Sequence, residues 1–112
     1  MEPSLYAKYL MERLGDSIIE APEGFVTYRF LEDNKTVYIV DIFVKEEFRT
    51  QGIASKLADM VVEKAKALGS TKLLGTVIPT TKNSTISLKV LLGYGMVLES
   101  ATNNLIVFKK EI

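Results

Sequence analysis

The stretch "VYIVDIFVKEEFRTQGIASKLADMVVEKAKALG", Val37 to Gly69, decides how the rest of the chain is read. An apolar run carrying one acid, Asp41, gives way to the charged segment "KEEFR", then to Gly52, then to a long series of helix formers. From Ala54 the apolar residues Ala54, Leu57, Ala58, Val61, Val62, Ala65 and Leu68 keep the i, i+3, i+4, i+7 spacing of an amphipathic helix. Gly69 supplies its stop. A buried strand therefore feeds a helix across a short turn that contains a glycine.

The flanking segments can be read outward from that unit. On the N-terminal side, "PSLYAKYLMERLG" predicts a short amphipathic helix that starts at a Ser4 cap and stops at Gly15, with Leu5, Tyr9, Leu10 and Leu14 as its stripe. "SIIEAPEGFVTYRFLEDNKTVYIVDIFV" reads as strand segments punctuated by Pro22-Glu23-Gly24 and Asp33-Asn34-Lys35, the second break a hairpin turn. On the C-terminal side, "STKLLGTVIP" is a buried strand closed by Pro79, and "NSTISLKVLLGYG" a helix capped by Asn83 or Ser84. "MVLES" and "NLIVFKKEI" form a final pair of strands. The central strand-helix-strand unit implies a parallel pair with a right-handed crossover. Hairpins on either side make the sheet mixed, so the expected class is α/β or α+β with helices on both faces of a central sheet. A length of 112 residues fits one domain, 1–112.

Composition narrows the chemistry. With 14 basic and 14 acidic residues, no net field draws the chain to nucleic acid or to an anionic membrane. The chain has no Cys and no His, which excludes zinc sites of the usual ligands, Cys nucleophiles, Ser-His-Asp triads and His proton shuttles. Lys8, Glu12, Arg13 and Asp16 interrupt any apolar leader, and no apolar stretch approaches a membrane span. A soluble, cytoplasmic protein without disulfides is expected.

The turn at Gly52 carries the functional signal. A helix N-terminus offers free N–H donors and the positive end of its dipole, and so binds phosphate readily. Gly52 and Ala54 let an anion approach the backbone, Ser55 follows, and Arg49 and Lys45 lie just upstream. The turn lacks the Gly-Lys-Ser/Thr ending of a nucleotide P-loop and the third glycine of the dinucleotide fingerprint. The pattern present is Arg-x-x-Gly-x-Ala, "RTQGIA", between a buried strand and an amphipathic helix.

In this the chain resembles the GNAT superfamily of acyl-CoA-dependent N-acyltransferases, whose signature is Arg/Gln-x-x-Gly-x-Gly/Ala at that place. The resemblance runs from about residue 24 to the C-terminus and is nearest to small GNAT proteins of phages and bacteria. It implies that the backbone of Gln51, Gly52, Ile53, Ala54 and Ser55 cradles the pyrophosphate of acetyl-CoA, with Arg49 and Thr50 lining the approach. It further implies that the main chain of Ile42, Phe43 and Val44 pairs with the pantetheine arm, and that a backbone N–H there polarises the thioester carbonyl. Asn83 is either a polar contact to the cofactor or a helix cap. The implied reaction is acetyl transfer to a primary amine, a protein or peptide lysine or a small amine, by direct attack in a ternary complex. Without Cys, no covalent Cys-acyl intermediate is available.

Asp41 is the candidate base. Strict alternation places it with Val37, Ile39 and Phe43, among which burial would raise its pKa above about 3.9. An amine of pKa about 10.4 must lose a proton before it attacks a thioester, and a carboxylate of raised pKa can take it. The alternative is a structural anchor that accepts hydrogen bonds, with Glu46, Glu47 and Glu20 as fallback acids. Many GNAT enzymes carry a Tyr four residues before the Gly of a closing Gly-Phe. Here that position is Leu91 and the closing pair is Gly95-Met96. Tyr94 is the nearest substitute acid, or else a packing aromatic; Ser87 is a further donor. The family's extra N-terminal strand and helix, which wall the acceptor pocket, are reduced here to one short helix. That leaves an open cleft suited to a protein or peptide lysine, or a site that a second subunit of a homodimer completes. Two other readings stand beside the enzyme: a CoA-binding pseudoenzyme, supported by Leu91, and a phage-type interaction protein.

Overall fold

The computed structural model describes residues 3–82 and 84–112. In chain order these form α1 (Leu5–Leu14), β1 (Ser17–Ala21), β2 (Gly24–Leu31), β3 (Thr36–Val44), a 3-10 turn (Glu46–Phe48), α2 (Ile53–Ala67), β4 (Lys72–Val77), α3 (Ser84–Gly93), β5 (Val97–Thr102) and β6 (Leu105–Glu111). The sheet has six strands in the order β1-β2-β3-β4-β6-β5. Its pairs are antiparallel except β3–β4, which is the expected parallel pair spanned by α2. The last hairpin folds so that β6, not β5, lies beside β4. Local sequence signals do not distinguish these two orders.

Local chemistry sets the helix ends. Ser4 Oγ accepts from the Ala7 N–H at 3.0 Å, and Gly15 closes α1 in the left-handed region at φ 71°. The β2–β3 turn holds Glu32, Asp33 and Asn34 at positive φ, which Asp and Asn tolerate better than most residues.

The core lies between the sheet and α2. Leu57, Ala58, Val61 and Ala65 of α2 are buried against Val26, Tyr28, Val37, Ile39 and Leu73. Each large side chain so buried contributes about 1.5–3 kcal/mol by removal from water. Leu68, the last residue of the expected stripe, is 56% exposed because it sits at the helix C-cap. Helix α3 lies on the same face, and Leu91 leans over β4 at Gly75, where a Cβ would stand 3.1 Å from its Cδ2. Helix α1 lies on the opposite face, where Tyr6 meets Phe25 edge-on at 6.0 Å. Helices thus flank both faces, as expected.

The stripe read on α1 is not a core stripe. Only Leu10 is buried; Leu5, Tyr9 and Leu14 are exposed. The helix is tied down instead by the residue just past its Gly15 cap. Asp16 is 1% exposed and its Oδ1 accepts from Arg29 Nε of β2 at 2.6 Å. The carboxylate holds the guanidinium pKa above its ordinary value, chiefly through that hydrogen bond.

One irregularity determines the rest. On β3, Asp41 pairs with Thr27 and Ile39 with Tyr28, so Val40 is an extra residue, a β-bulge. The bulge breaks the alternation assumed from sequence. Val37 and Ile39 face α2, and beyond the bulge Ile42 and Val44 pack on that same core. Asp41 and Phe43 therefore point to the other face, not to that of Val37 and Ile39 as strict alternation predicts.

Candidate active site

The strands β3 and β4 part company at the bulge. Their parallel pairing covers Thr36–Ile39 against Lys72–Gly75 and then stops. Past that point β3 continues to Val44 with β2 as its only strand partner among the described residues, while Thr76 and Val77 pair only with β6. Between them a wedge opens whose one wall is the free edge of Val40–Val44. A free strand edge presents unpaired N–H and C=O groups and accepts an extended chain as an added strand. The hydroxyls of Tyr38 and Thr76 are 2.9 Å apart and close the apex of the wedge on the Asp41 face.

The mouth of α2 stands at the open end. Gly52 is the N-cap at φ 80°, no side chain caps the helix, and no acid lies in its first turn. The Gly52 carbonyl accepts the first bond of the helix, from the Lys56 N–H at 3.1 Å. The donors of Ile53, Ala54 and Ser55 are thus left for a ligand. Among the described residues a Cβ on Gly52 would meet nothing within 4 Å, so the glycine is required by its backbone angle rather than by crowding. The turn is braced from below. Arg49 Nε donates to the Val44 carbonyl at 2.9 Å, Gln51 Nε2 to the Glu47 carbonyl at 3.2 Å, and the Arg49 guanidinium lies 5.6 Å from the Phe43 ring centre. Thr50, two residues before Gly52, also has positive φ, 64°. The "RTQGIA" residues are thereby joined to the free edge of β3 through Arg49, which touches both Val44 and Phe43.

Asp41 sits at the edge of the wedge, exposed, opposite the buried Thr27. Partial burial raises its pKa above the usual carboxylate value, partly offset by the backbone N–H of Ile42. The surface exposure and the raised pKa describe a carboxylate open on one side and backed by apolar strand on the other. Such a group can exchange a proton with an incoming molecule.

The sequence of residues 7–94 matches the family model described as Acetyltransferase (GNAT) family. The chain is a GNAT-family protein. No relative is found among curated proteins. Among solved structures, the GNAT fold recurs in an acetyltransferase of Elizabethkingia anophelis described with acetyl-CoA bound. Identity is 20% and TM-score 0.74, over 99% of this chain and 92% of that one. It recurs in Ard1 of Thermoplasma volcanium, at 18% identity and TM-score 0.66 over 80% of this chain. The chain spans 63% of that protein's length. The anti-CRISPR protein AcrVA5 is similar at 23% identity and TM-score 0.67, over 84% of this chain and 98% of its own.

Within this GNAT chain the structure brings Asp41, Ile42, Phe43, Val44, Arg49, Thr50, Gln51, Gly52, Ile53, Ala54 and Ser55 to one end of the sheet. Asn83, read from sequence as contact or cap, lies outside the described residues. Tyr94 does not join the group. It lies on the face covered by α2 and α3, where its hydroxyl donates to Asp59 Oδ1 at 2.6 Å and Lys110 Nζ rests 4.5 Å from its ring centre. Burial and the Asp59 carboxylate raise the phenol pKa, so it holds its proton more tightly than an ordinary tyrosine. It is built as a strut between α3 and α2. Leu91, at the usual tyrosine position, packs on Gly75. Glu46 and Glu47 are exposed in the 3-10 turn and Glu20 is exposed on β1. Two features of the site had no reading in the sequence: the Tyr38–Thr76 pair and the opposition of Thr27 to Asp41. Both depend on strand register, for which the only sequence clue was an acid that broke the expected pattern. A hollow of 670 Å³, lined by residues of α1 and β1 such as Ala7, Met11 and Ile18, shares no residue with the wedge.

Proposed function

We propose that this chain transfers an acetyl group from acetyl-CoA to a primary amine, the side chain of a protein or peptide lysine, within a ternary complex. The observation that carries the reading is the meeting of a free strand edge, Val40–Val44, with an uncapped and acid-free helix N-terminus at Gly52. These residues fit acetyl-CoA. The backbone of Gln51–Ser55 would hold the pyrophosphate, Arg49 and Thr50 would line its approach, and Ile42–Val44 would pair with the pantetheine arm.

The chemistry then falls to few groups. The neutral amine attacks the thioester carbonyl; the C–N bond forms, the C–S bond breaks, and CoA leaves as a thiolate. Asp41, directly or through water, takes the proton that the ammonium must lose before attack, and the second N–H proton, released as the tetrahedral adduct collapses, passes through water to the departing thiolate. A backbone N–H of the β3 edge stabilises the oxyanion. With Leu91 packed on Gly75 and Tyr94 bonded to Asp59, the thiolate takes its proton from water.

Leu91 also favours a second reading, a CoA-binding pseudoenzyme. Calorimetric titration with acetyl-CoA, on the wild type and on Gly52→Glu, tests the cofactor site. Saturable binding that the variant loses supports it. Absence of binding by folded wild type at millimolar ligand, where affinities of about −4 kcal/mol register, sinks it. Binding without acetyl transfer to any amine leaves the pseudoenzyme.

A further inference from the structure

The wedge has a closed end as well as an open one. The last rung that joins β3 to β4 is Ile39–Gly75, and Thr76 is the first residue of β4 beyond it. On the core side of that rung both residues are buried, and a Cβ on Gly75 would stand 3.1 Å from Leu91 Cδ2 and 3.5 Å from Met96 Sδ and Cε. On the opposite side Tyr38 leans forward from the preceding rung, where it pairs with Leu74, and its hydroxyl meets that of Thr76 at 2.9 Å. A side-chain bond thus crosses from β3 to β4 just where their backbones separate. Both residues are half-buried, so parting the two hydroxyls costs a bond that solvent only partly replaces.

The course of the free edge says which part of a ligand would meet this bar. From the apex the edge runs through Val40 to Val44, and the chain then turns into the helix mouth at Gly52. An acetyl-CoA molecule held with its pyrophosphate at Gly52 and its arm along Val44 to Ile42 therefore advances from the mouth toward the apex. The group at the far end of that arm is the acyl group, joined through the thioester. Each methylene added to it would press on the Tyr38–Thr76 bar or on the packed Gly75 rung behind it. Close-packed walls of this kind do not yield to extra methylenes without shifts of side chains or backbone.

We infer that the Tyr38–Thr76 bridge sets the acyl length that the wedge accepts: acetyl ends short of it, and longer acyl groups run into it. Tyr38 and Thr76 are thus specificity-determining residues and take no part in the proton transfers. This deepens the acetyltransferase reading above and rests on it.

The test is calorimetric titration of the wild type with acetyl-CoA, propionyl-CoA and butyryl-CoA, repeated on Thr76→Ala, Tyr38→Val and Thr76→Ser, each first shown to be folded by thermal melting. Wild-type affinity should fall at least about tenfold from acetyl-CoA to butyryl-CoA, with propionyl-CoA between them. In Thr76→Ala and in Tyr38→Val that ratio should shrink about three- to tenfold, whereas Thr76→Ser, which keeps the hydroxyl, should hold it. Should Tyr38→Val fail to fold, Thr76→Ala against Thr76→Ser decides. Equal wild-type affinity for the three acyl-CoAs overturns the inference and leaves the cofactor site standing. So does a ratio that survives in the folded variants, even where all three affinities drop together, since loss of a mere strut would weaken them alike. Failure of the wild type to bind any of the three is read separately: it removes the acetyltransferase reading, and the inference with it.

Discussion

The two halves of β3 are built from similar residues and meet different fates. Thr36–Ile39 is paired on both edges, with Thr36, Val37 and Ile39 buried. Val40–Val44 is paired on one edge only, and none of its five residues is buried. Hydrophobicity does not separate them, since the second half holds Val40, Ile42, Phe43 and Val44. What separates them is the bulge, which ends the β4 pairing and turns the strand's faces over. The first half supplies stability; in the proposed reaction the second supplies an edge and an acid.

Variants should divide along the same line. Asp41→Asn is expected to have the largest effect, lowering kcat by about 10²–10⁴-fold, the usual contribution of a general base. The acidic limb of the pH profile of kcat/KM should lie above the ordinary carboxylate range in the wild type and vanish in the variant. Stability should move the other way. Because the folded-state pKa of Asp41 is raised, the folded chain holds this proton more tightly than the unfolded one. Stability from this group therefore falls as pH rises from the ordinary carboxylate pKa to the raised one. At neutral pH the Asn variant should be no less stable than wild type by thermal melting. A large loss of stability would make Asp41 an anchor instead.

On the other side of the bulge, Ile39→Ala should cost about 2–5 kcal/mol in denaturant unfolding. The affinity of the folded fraction for acetyl-CoA should be unaltered. If affinity fell in step with stability, the two halves would not be separable. Gly24→Ala sharpens the same division, because a Cβ there would run into the carbonyl oxygen of Phe43. Relief requires the free half of β3 to move, so about 1–3 kcal/mol of stability should go together with weaker acetyl-CoA binding, both read in one calorimetric and unfolding series. The smallest effect is expected far from the division. Tyr94→Phe removes the bond to Asp59 and should lower stability by about 0.5–1.5 kcal/mol while turnover stays the same. A turnover loss of tenfold or more would return Tyr94 to the chemistry.

Much of this was legible from residues alone, for physical reasons. Ser4 and Gly15 act through local hydrogen bonds and backbone angles, so the limits of α1 can be read from sequence. Leu57, Ala58, Val61 and Ala65 recur at helical spacing because they share one buried face. The "RTQGIA" turn is contiguous, so its place between β3 and α2 is readable as a unit. The features that escaped are those made by distant pairing. The imperfect α1 stripe indicates an amphipathic helix, yet only Leu10 of it is buried, and Asp16 and Arg29, thirteen residues apart, do the anchoring. Tyr94 looked available because Asp59 lies thirty-five residues away in sequence. The facing of Asp41 was misread because a single inserted residue leaves no mark in composition.

That inserted residue has a practical consequence for anyone setting this chain beside its relatives. Val37, Ile39, Ile42 and Val44 form one file and Tyr38, Asp41 and Phe43 the other, so the strand keeps two counts that differ by one at Val40. A relative lacking the bulge has to be given a gap at that position. Without it, every column after Ile39 would match a core residue to a surface one, and the acid would be scored against an apolar side chain that it never replaces.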